Sequence, residues 1–217
     1  MRTHAAAWLL LVIVVCLCFT GYWGVKGALR VMDGWCDDLP PIEDTDFTNH
    51  ARESVMYAAD GSTVLAEFQL EKRDPVESDQ VSNLVKQATV DTEDVRFYQH
   101  GGVDLPGIAR AFVNNLAGGS LEGASTITQQ LVRNTVLTQE ANEISIERKV
   151  REAQLAMDLE KQYSKDELLM MYLTTVNYGD GCYGRQAAAQ NYFQTDAVDL
   201  TLTQAATLAG IPQSPTF

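Results

Sequence analysis

The sequence predicts a mostly α-helical protein with one small β-hairpin and one N-terminal segment long enough to cross a membrane. Three observations lead to this prediction: an uncharged run near the start, two β-prone runs around an Asp-Gly pair, and a helical pattern from Pro75 onward. The 217 residues, 46% of them hydrophobic, suffice for one domain with its own core.

The N-terminal segment over residues 5–25 contains no charged side chain. Its 21 residues would form a helix about 31 Å long, which matches a hydrocarbon core of ~30 Å. Trp8, Tyr22 and Trp23 lie near its two ends, where aromatic rings prefer the membrane interface. A cleaved signal peptide is the alternative, but its apolar region is normally shorter. We therefore predict an uncleaved anchor within residues 1–28.

The chain is strongly acidic, with 16 Lys and Arg against 29 Asp and Glu and a net charge of −13. Such a chain is a poor general nucleic-acid binder, because phosphate binding needs clustered positive charge. The acidic excess is concentrated in residues 31–80, directly after the predicted anchor. Basic residues flank the anchor on both sides, so this acidic run is what favours a cytoplasmic N-terminus with the remainder outside.

The cysteines and histidines suggest neither a disulfide framework nor a metal site. Of four cysteines, only Cys36 and Cys182 lie outside the predicted anchor, far apart in the sequence. We predict two unpaired thiols, although one bridge between them is compatible with the sequence. His4, His50 and His100 are scattered, so no zinc site is expected.

A linker and a hairpin are predicted between the anchor and the helical part. Residues 29–54 contain Asp-Asp-Leu-Pro-Pro, which interrupts any helix. Two β-prone runs follow on either side of Asp60-Gly61, a pair typical of a tight hairpin turn. We therefore divide the chain into the anchor, a linker over residues 29–54 and a single domain over residues 55–217.

Helix start and stop signals recur after the hairpin. Asp104 can cap a helix that carries Pro106 in its first turn and ends at Gly118-Gly119. The spacing of apolar residues predicts a second helix over residues 144–162. In the first of these helices the apolar positions assigned to one face are Ile108, Ala111, Phe112 and Leu116.

Two further helices are marked by capping boxes, at residues 164–167 and 201–204. The second of them is expected to end just before Gly210, a glycine in the position that follows a helix. Lys165, inside the first box, is interpreted as a solvated charge.

The first candidate site combines an acidic pair with aromatic residues, a histidine and two glycines over residues 93–102. A carboxylate in a partly apolar wall acquires the raised pKa that a general base requires. Glu93 is therefore a candidate base. The alternative is a solvated helix end in which Glu93 pairs with Arg96, and composition alone favours that alternative.

The second candidate site is a dense polar cluster, with hydroxyl or amide side chains at five of the six positions in residues 125–130. These groups could bind sugar hydroxyls or phosphate oxygens. Helix capping by Ser125 or Thr126 is the alternative, but it accounts for one hydroxyl only.

The third candidate site is a cationic cluster that includes a carboxylate, within the helix predicted over residues 144–162. Arg148 and Glu152 are four residues apart and share one face. The pair is either a surface ion pair worth about 0.3–0.5 kcal/mol or part of a site for an anionic leaving group.

In order and spacing these segments resemble the peptidoglycan glycosyltransferase family, glycosyltransferase family 51, found in class A penicillin-binding proteins and monofunctional transglycosylases. The resemblance covers roughly residues 55–217 and extends over five motifs. They are Glu-Asp-x-x-Phe-x-x-His-x-Gly at 93–102, Gly-x-Ser-Thr-Ile-Thr-Gln-Gln at 123–130, Arg-Lys-x-x-Glu at 148–152, a partial fourth motif at 172–193, and a fifth at 208–215.

The sequence departs from the family pattern at two positions. The family usually has Glu where this chain has Met170, and Asn where it has Thr174. We expect altered packing or groove contacts, since neither position supplies a main catalytic carboxylate. The chain ends at Phe217, so the domain is expected to be truncated at its C-terminal end. These residues contain no Ser-x-x-Lys motif, and hence no transpeptidase site.

The resemblance implies a lysozyme-like helical fold and polymerisation of lipid II into β-1,4-linked glycan strands, with inversion and release of undecaprenyl pyrophosphate. It implies that Glu93 is the general base and that Glu152 orients the cationic cluster or assists the leaving group. Arg133, Arg148 and Lys149 would stabilise the pyrophosphate. The other side chains assigned to substrate binding are Asp94, Phe97, His100, Ser125, Thr126, Gln129, Gln130 and Asn134.

The resemblance also implies partners and a location. The partners are lipid II, the growing glycan strand, the cytoplasmic membrane and proteins of the division or elongation machinery, with no nucleic acid. No cofactor is required, and stimulation by a divalent cation is compatible with the family. The protein is expected to be a single-pass protein of the bacterial cell membrane with its domain outside the cytoplasm.

Two other functions stay open from the sequence. A lysozyme-like peptidoglycan hydrolase also uses a carboxylate in a sugar groove, but it has no pyrophosphate for the Arg-Lys-x-x-Glu segment to stabilise. A non-catalytic cell-wall scaffold would only recruit other proteins, and the presence of Glu93 and Glu152 argues against it.

Overall fold

The computed structural model of the chain describes residues 20–44, 47, 54–68, 72–73, 81–118 and 123–215. Over these residues the protein is mostly α-helical with two small two-stranded sheets, which confirms the mostly helical part of the predicted fold class. The residues group by their contacts into two compact units. Unit 1 takes its described residues from Met1–Leu39 and Ile144–Arg151, and unit 2 takes its own from Pro40–Glu143 and Glu152–Phe217.

Unit 1 contains helix α1, described over residues 20–34, and the first residues of helix α5 (Ile146–Gln162). Arg151 donates a hydrogen bond to the carbonyl oxygen of Trp35 at 2.7 Å and forms an ion pair with Asp38. The hydrogen bond from Arg151 holds the pKa of the Asp38 carboxyl below its usual value. These two interactions hold the turn over residues 35–38 against the start of α5 within this unit.

The predicted membrane anchor lies largely outside the described residues, which begin at residue 20. Within the described ranges, no helix combines the length and the apolar composition needed to cross a bilayer. The anchor therefore stays a prediction.

The hairpin predicted around Asp60-Gly61 is confirmed. Strand β1 (Ser54–Tyr57) pairs antiparallel with β2 (Val64–Phe68). In the turn, the Asp60 carboxylate accepts hydrogen bonds from the backbone N–H groups of Ser62 and Thr63 at 3.0 and 2.9 Å. Gly61 has a φ of +71°, which glycine adopts without strain.

A second small sheet was not predicted. Strand β3 (Lys72–Arg73) pairs in parallel with β4 (Cys182–Tyr183), so the expectation of an unbroken helical pattern after Pro75 is wrong. The Lys72 ammonium lies 3.2 Å from the Asp180 carboxylate and donates to the Asn191 side chain at 2.9 Å. Cys182, in β4, is buried and has a free thiol, as Cys36 does, in agreement with the prediction of unpaired thiols.

The core of unit 2 is helical. Leu131, Leu159 and Leu168, from three different helices, are fully buried. Helix α2 packs against α8, and α4 packs against α6. The bounds of these helices are α2 Asn83–Glu93, α3 Leu105–Leu116, α4 Ile127–Thr135, α6 Lys165–Thr175, α7 Arg185–Phe193 and α8 Leu202–Gly210.

The predicted helix caps are largely confirmed. Asp104 caps α3, and Ser164 and Thr201 form capping boxes at the starts of α6 and α8. Helix α5 starts at Ile146, slightly later than expected. The prediction for Gly210 is wrong: this residue is the last of α8, with a φ of −83°, and the chain continues into a 3₁₀ turn.

Lys165 is not the solvated charge that the sequence suggested. Its ammonium lies 2.7 Å from the Glu160 carboxylate and 4.3 Å from the centre of the Phe97 ring. The side chain of Glu160 is itself only 6% exposed. Ion pairing and the cation–π contact therefore hold Lys165 against the core.

Helix α3 turns an apolar stripe away from the core. Leu105, Ile108, Phe112 and Leu116 recur at helical spacing and are between 40% and 73% exposed. Of the four apolar residues assigned to one face by the sequence, only Ala111 is buried. We refer to the four exposed residues as the apolar stripe.

Candidate active site

A polar cavity of about 610 Å³ lies in unit 2, open on one side to solvent. Its walls come from the end of α2, the first half of α3, the segment before α4, α4 itself and the 3₁₀ turn after α8. It is lined by Asp91, Thr92, Glu93, Asp94, Val95, Asp104, Gly107, Arg110, Gly123, Ala124, Ser125, Thr126, Gln130, Arg133, Pro212 and Gln213.

Glu93 is the last residue of α2 and lines this cavity. The Gln130 side-chain amide donates to Oε2 of Glu93 at 2.8 Å. Oε1 of Glu93 is buried and accepts no hydrogen bond from the described residues. Burial raises the pKa of Glu93, although the bond from Gln130 and the charge of Arg133 oppose this effect. One carboxylate oxygen is thus fixed by Gln130, and the other is buried without a hydrogen-bond partner among the described residues.

The alternative pairing of Glu93 with Arg96 does not occur. Arg96 forms its ion pair with Asp104, the residue that caps α3. Burial acts to raise the pKa of Asp104, but hydrogen bonds from Arg96 and from the backbone of Gly107 outweigh it and lower the pKa. A Cβ at Gly107 would collide with this carboxylate, so glycine leaves room for the pair.

Asp94 is buried beside Glu93 and has a different environment. It accepts a hydrogen bond from the backbone N–H of Ile127 at 3.1 Å and contacts Nε2 of His100 at 3.0 Å. His100 in turn packs edge-on against the ring of Phe97, which is fully buried. His100 and Phe97 do not line the cavity, and their part in substrate binding stays a prediction.

The side chains of the polar cluster over residues 125–130 have two roles: some cap α4 and some line the cavity. The Thr126 hydroxyl accepts a hydrogen bond from Gln129 N–H at 3.1 Å and donates one to the carbonyl oxygen of Gly102 at 2.7 Å. The Gln129 side-chain oxygen accepts a hydrogen bond from the backbone N–H of Thr126 at 3.1 Å, and Gln129 is buried. Of the two residues proposed as caps, Thr126 caps α4, and it also lines the cavity together with Ser125 and Gln130.

Several lining residues were missed by sequence reasoning. Arg110 and Asp91 were not singled out, and Asp104 was identified only as a helix cap. Pro212 and Gln213 were noted as part of a motif without a role. Charged residues on helix surfaces are common, so nothing in their local pattern sets these positions apart.

The remaining predicted residues lie elsewhere. Glu152 is fully buried in α5 and does not line the cavity, and Asn134 is exposed on α4. Arg148 and Lys149 are half-buried near the start of α5 and belong to unit 1, whereas the cavity belongs to unit 2. Their roles stay predictions.

Acidic side chains at the cavity do not form a metal site. Across the part of the chain that the structure describes, no group of three or more His, Cys, Asp or Glu side chains could hold a metal ion. Two arginines, Arg110 and Arg133, line the same cavity as these carboxylates.

Comparison with known proteins identifies the family. Residues 61–217 match the family model described as Transglycosylase. The chain belongs to the transglycosylase family. It is 41% identical over 195 residues to penicillin-binding protein 1A/1B of Bacillus subtilis (strain 168), an alignment that covers 89% of this chain and 21% of that protein.

Other relatives of this transglycosylase-family chain give the same picture. It is 42% identical over 168 residues to penicillin-binding protein 1A of Clostridium perfringens (strain 13 / Type A), covering 75% of this chain and 24% of that protein. It is 37% identical over 206 residues to penicillin-binding protein 1A of Escherichia coli (strain K12), covering 94% of this chain and 23% of that protein. The chain thus spans less than a quarter of the length of these relatives.

Proposed function

We propose that this chain is a peptidoglycan glycosyltransferase that polymerises lipid II into β-1,4-linked glycan strands and releases undecaprenyl pyrophosphate. The observation that carries the proposal is the half-buried Glu93 carboxylate at the wall of a polar cavity, with Oε2 bound by Gln130 and Oε1 without a partner among the described residues. Membership of the transglycosylase family supports the class of reaction.

In the proposed step, Glu93 is the general base. Its carboxylate takes the proton from the 4-hydroxyl of the acceptor GlcNAc as that oxygen attacks C1 of the donor MurNAc. The bond between C1 and the phosphate oxygen breaks, and its electron pair leaves with the lipid pyrophosphate. Attack from the opposite face inverts the α linkage to β. The pKa of Glu93, raised by burial, makes this carboxylate a stronger base than an exposed one.

Positive charge is required where the pyrophosphate departs. Arg133 and Arg110 line the same cavity as Glu93 and are suited to this task. For the third motif we propose the roles that the family resemblance implies, with Arg148 and Lys149 stabilising the pyrophosphate and Glu152 orienting these cations. Ser125 and Gln130 would position oxygens of the sugar and phosphate.

A bacterial cell membrane is the proposed location, with the domain outside the cytoplasm. The uncharged run over residues 5–25 supports an anchor, and the apolar stripe of α3 supplies a second surface suited to lipid. A substrate with a long lipid tail stays in the bilayer, so anchoring raises its concentration at the cavity. Growing glycan and division or elongation proteins are the further partners we propose.

The test is incubation of the full chain, in detergent, with labelled lipid II and separately with preformed glycan strands. Long glycan from lipid II, absent with Glu93→Gln, is the expected result. Release of muropeptides from the strands without any polymer would instead establish a hydrolase. No reaction with either substrate, from a chain that circular dichroism shows to be helical, would also overturn the proposal. EDTA is expected to leave polymerisation in place, because side chains supply the base and the cations.

A further inference from the structure

A buried tyrosine lies behind the candidate base. Tyr172, in α6, is fully buried, and its hydroxyl donates to Oε1 of the Gln130 side chain at 3.1 Å. The amide nitrogen of the same side chain donates to Oε2 of Glu93 at 2.8 Å. Two hydrogen bonds in series thus connect Tyr172 on α6, through Gln130 on α4, to the Glu93 carboxylate. We refer to this series as the relay.

The direction of these bonds depends on the orientation of one amide. A primary amide can rotate by half a turn with almost no change in shape, and this rotation exchanges its donor and acceptor. The rotated form would present the Gln130 oxygen to Oε2 of Glu93, where two acceptors would repel each other. In the rotated form the Tyr172 hydroxyl would accept from the amide, and its own buried proton would lose the acceptor it has in the structure, so this hydroxyl opposes the rotation. Burial raises the pKa of Tyr172 well above its usual value, so this donor keeps its proton.

We propose that Tyr172 is a positioning residue for glycan polymerisation, which acts on Glu93 only through Gln130. Its hydroxyl holds the Gln130 amide with the NH₂ group on Oε2, and this hydrogen bond favours the charged carboxylate that a general base requires. The inference rests on the proposed function, because Glu93 is the base in that reaction. Tyr172 touches neither the cavity nor the reacting atoms, so its role is separate from catalysis itself.

The first variant is Tyr172→Phe, which removes one oxygen and keeps the ring that fills the core. We expect kcat to fall about tenfold, equivalent to about 1.4 kcal/mol, with KM for lipid II unchanged. Rotated Gln130 disfavours the charged carboxylate, so the acid limb of the pH profile should move to higher pH. A variant with wild-type kcat and an unmoved limb overturns the inference.

A double-mutant cycle shows whether the effect passes through Gln130. Gln130→Met keeps the length of the side chain and removes both polar groups. In that background Tyr172→Phe should change kcat and the acid limb no further, because the connecting amide is gone. An equal tenfold loss in both backgrounds would mean that the hydroxyl acts by another route, and would refute the relay.

Tyr178→Phe is the matched control. Tyr178 is a second buried tyrosine whose environment includes the charge of Glu93, yet it does not contact the Gln130 amide in the structure. Its variant loses a buried hydroxyl in the same way and should leave the acid limb where it is. An identical shift in both variants would point to general loosening of the core and would overturn the relay.

A measurement without turnover separates this inference from the proposed function. Titration of the Glu93 carboxyl by carbon-13 NMR in detergent, assigned with Glu93→Gln, reports its pKa directly. We expect a higher value in Tyr172→Phe than in the wild type, whether or not lipid II is the substrate. Equal values would reject the relay even if polymerisation is observed, whereas a shift without polymerisation would reject only the assigned reaction.

Discussion

The backbone N–H of Ile127 donates to a carboxylate oxygen of Asp94 at 3.1 Å. This bond joins the residue that follows α2 to the first turn of α4, two segments that both line the cavity. A carboxylate at a helix N-terminus also complements the positive end of the helix dipole. Asp94 thus fixes the position of Glu93, its neighbour in the chain, relative to Gln130.

Asp94→Ala should destabilise unit 2. The substitution leaves the buried N–H of Ile127 without an acceptor, at a cost of about 2–3 kcal/mol in the free energy of unfolding. Urea denaturation followed by circular dichroism measures the change. The control is Asp91→Ala, an exposed carboxylate on the preceding turn, which should lower stability by less than about 0.5 kcal/mol. Similar losses in both variants would contradict the assigned role of Asp94.

Gly102 should not tolerate a side chain. Its φ is +90°, and a Cβ there would lie 2.7 Å from the backbone carbon of Ala156. Gly102→Ala is therefore expected to lower the free energy of unfolding by more than about 2 kcal/mol. The melting temperature should fall with it. The neighbouring Gly101 has open space around its Cβ position, so Gly101→Ala is the control and should have little effect. Equal tolerance at both positions would argue against this tight contact.

Glu93→Gln should reduce lipid II polymerisation by a factor of roughly 10²–10⁴, the usual range for loss of a general base. The protein should be at least as stable at neutral pH, because a neutral amide avoids the cost of burying a charge. Product formation and thermal unfolding are measured side by side. Glu143→Gln, at an exposed position, is the control and should keep full activity. Near-normal polymerisation by the Glu93 variant would remove it from the mechanism.

Arg133→Gln should change the pH dependence as well as the rate. The Arg133 charge favours the ionised form of Glu93, so its loss raises the pKa of Glu93 further. The base must be deprotonated to act, and the acid limb of kcat/KM should therefore move to higher pH. Arg110 lines the same cavity but is not among the groups that shift the pKa of Glu93, so Arg110→Gln should leave the limb in place. Identical shifts in the two variants would contradict this account.

Leu116→Glu should impair the enzyme in a bilayer and not in detergent. Leu116 is 73% exposed in the apolar stripe, and a carboxylate there opposes contact with lipid. We expect turnover of lipid II in phosphatidylcholine vesicles to fall several-fold, with turnover in detergent unchanged. Leu202→Glu, at a leucine that is 65% exposed at the start of α8, is the control. Equal behaviour of the two variants in vesicles would exclude a lipid contact specific to the stripe.

Structure determined by neighbouring residues was predictable from the sequence. The hairpin turn at Asp60 and the caps at Asp104 and Ser164 depend on side chains that bond to backbone only two or three residues away. The end of α8 was predicted wrongly from Gly210, because glycine adopts φ values of either sign and does not by itself end a helix.

Contacts between distant segments were not predictable in this way. The pairing of β3 with β4, the position of Lys165 over Phe97 and the bond from Tyr172 to Gln130 all join residues far apart in the chain. At the candidate site the motifs indicated Glu93 and its neighbours, but not Arg110 or Asp104. Those side chains enter the cavity only because α3 passes beside it, a consequence of packing that no local pattern records.

The Lys72 to Asp180 contact has a consequence for the order in which the protein folds. These residues are 108 positions apart, and closing a loop of that length costs about 4 kcal/mol in chain entropy. A two-residue strand pair and one exposed ion pair return too little to offset that cost. We therefore expect the contact to form late, after the intervening helices have brought both ends together. Lys72 then stabilises a domain that has already assembled, and it is not part of the folding nucleus.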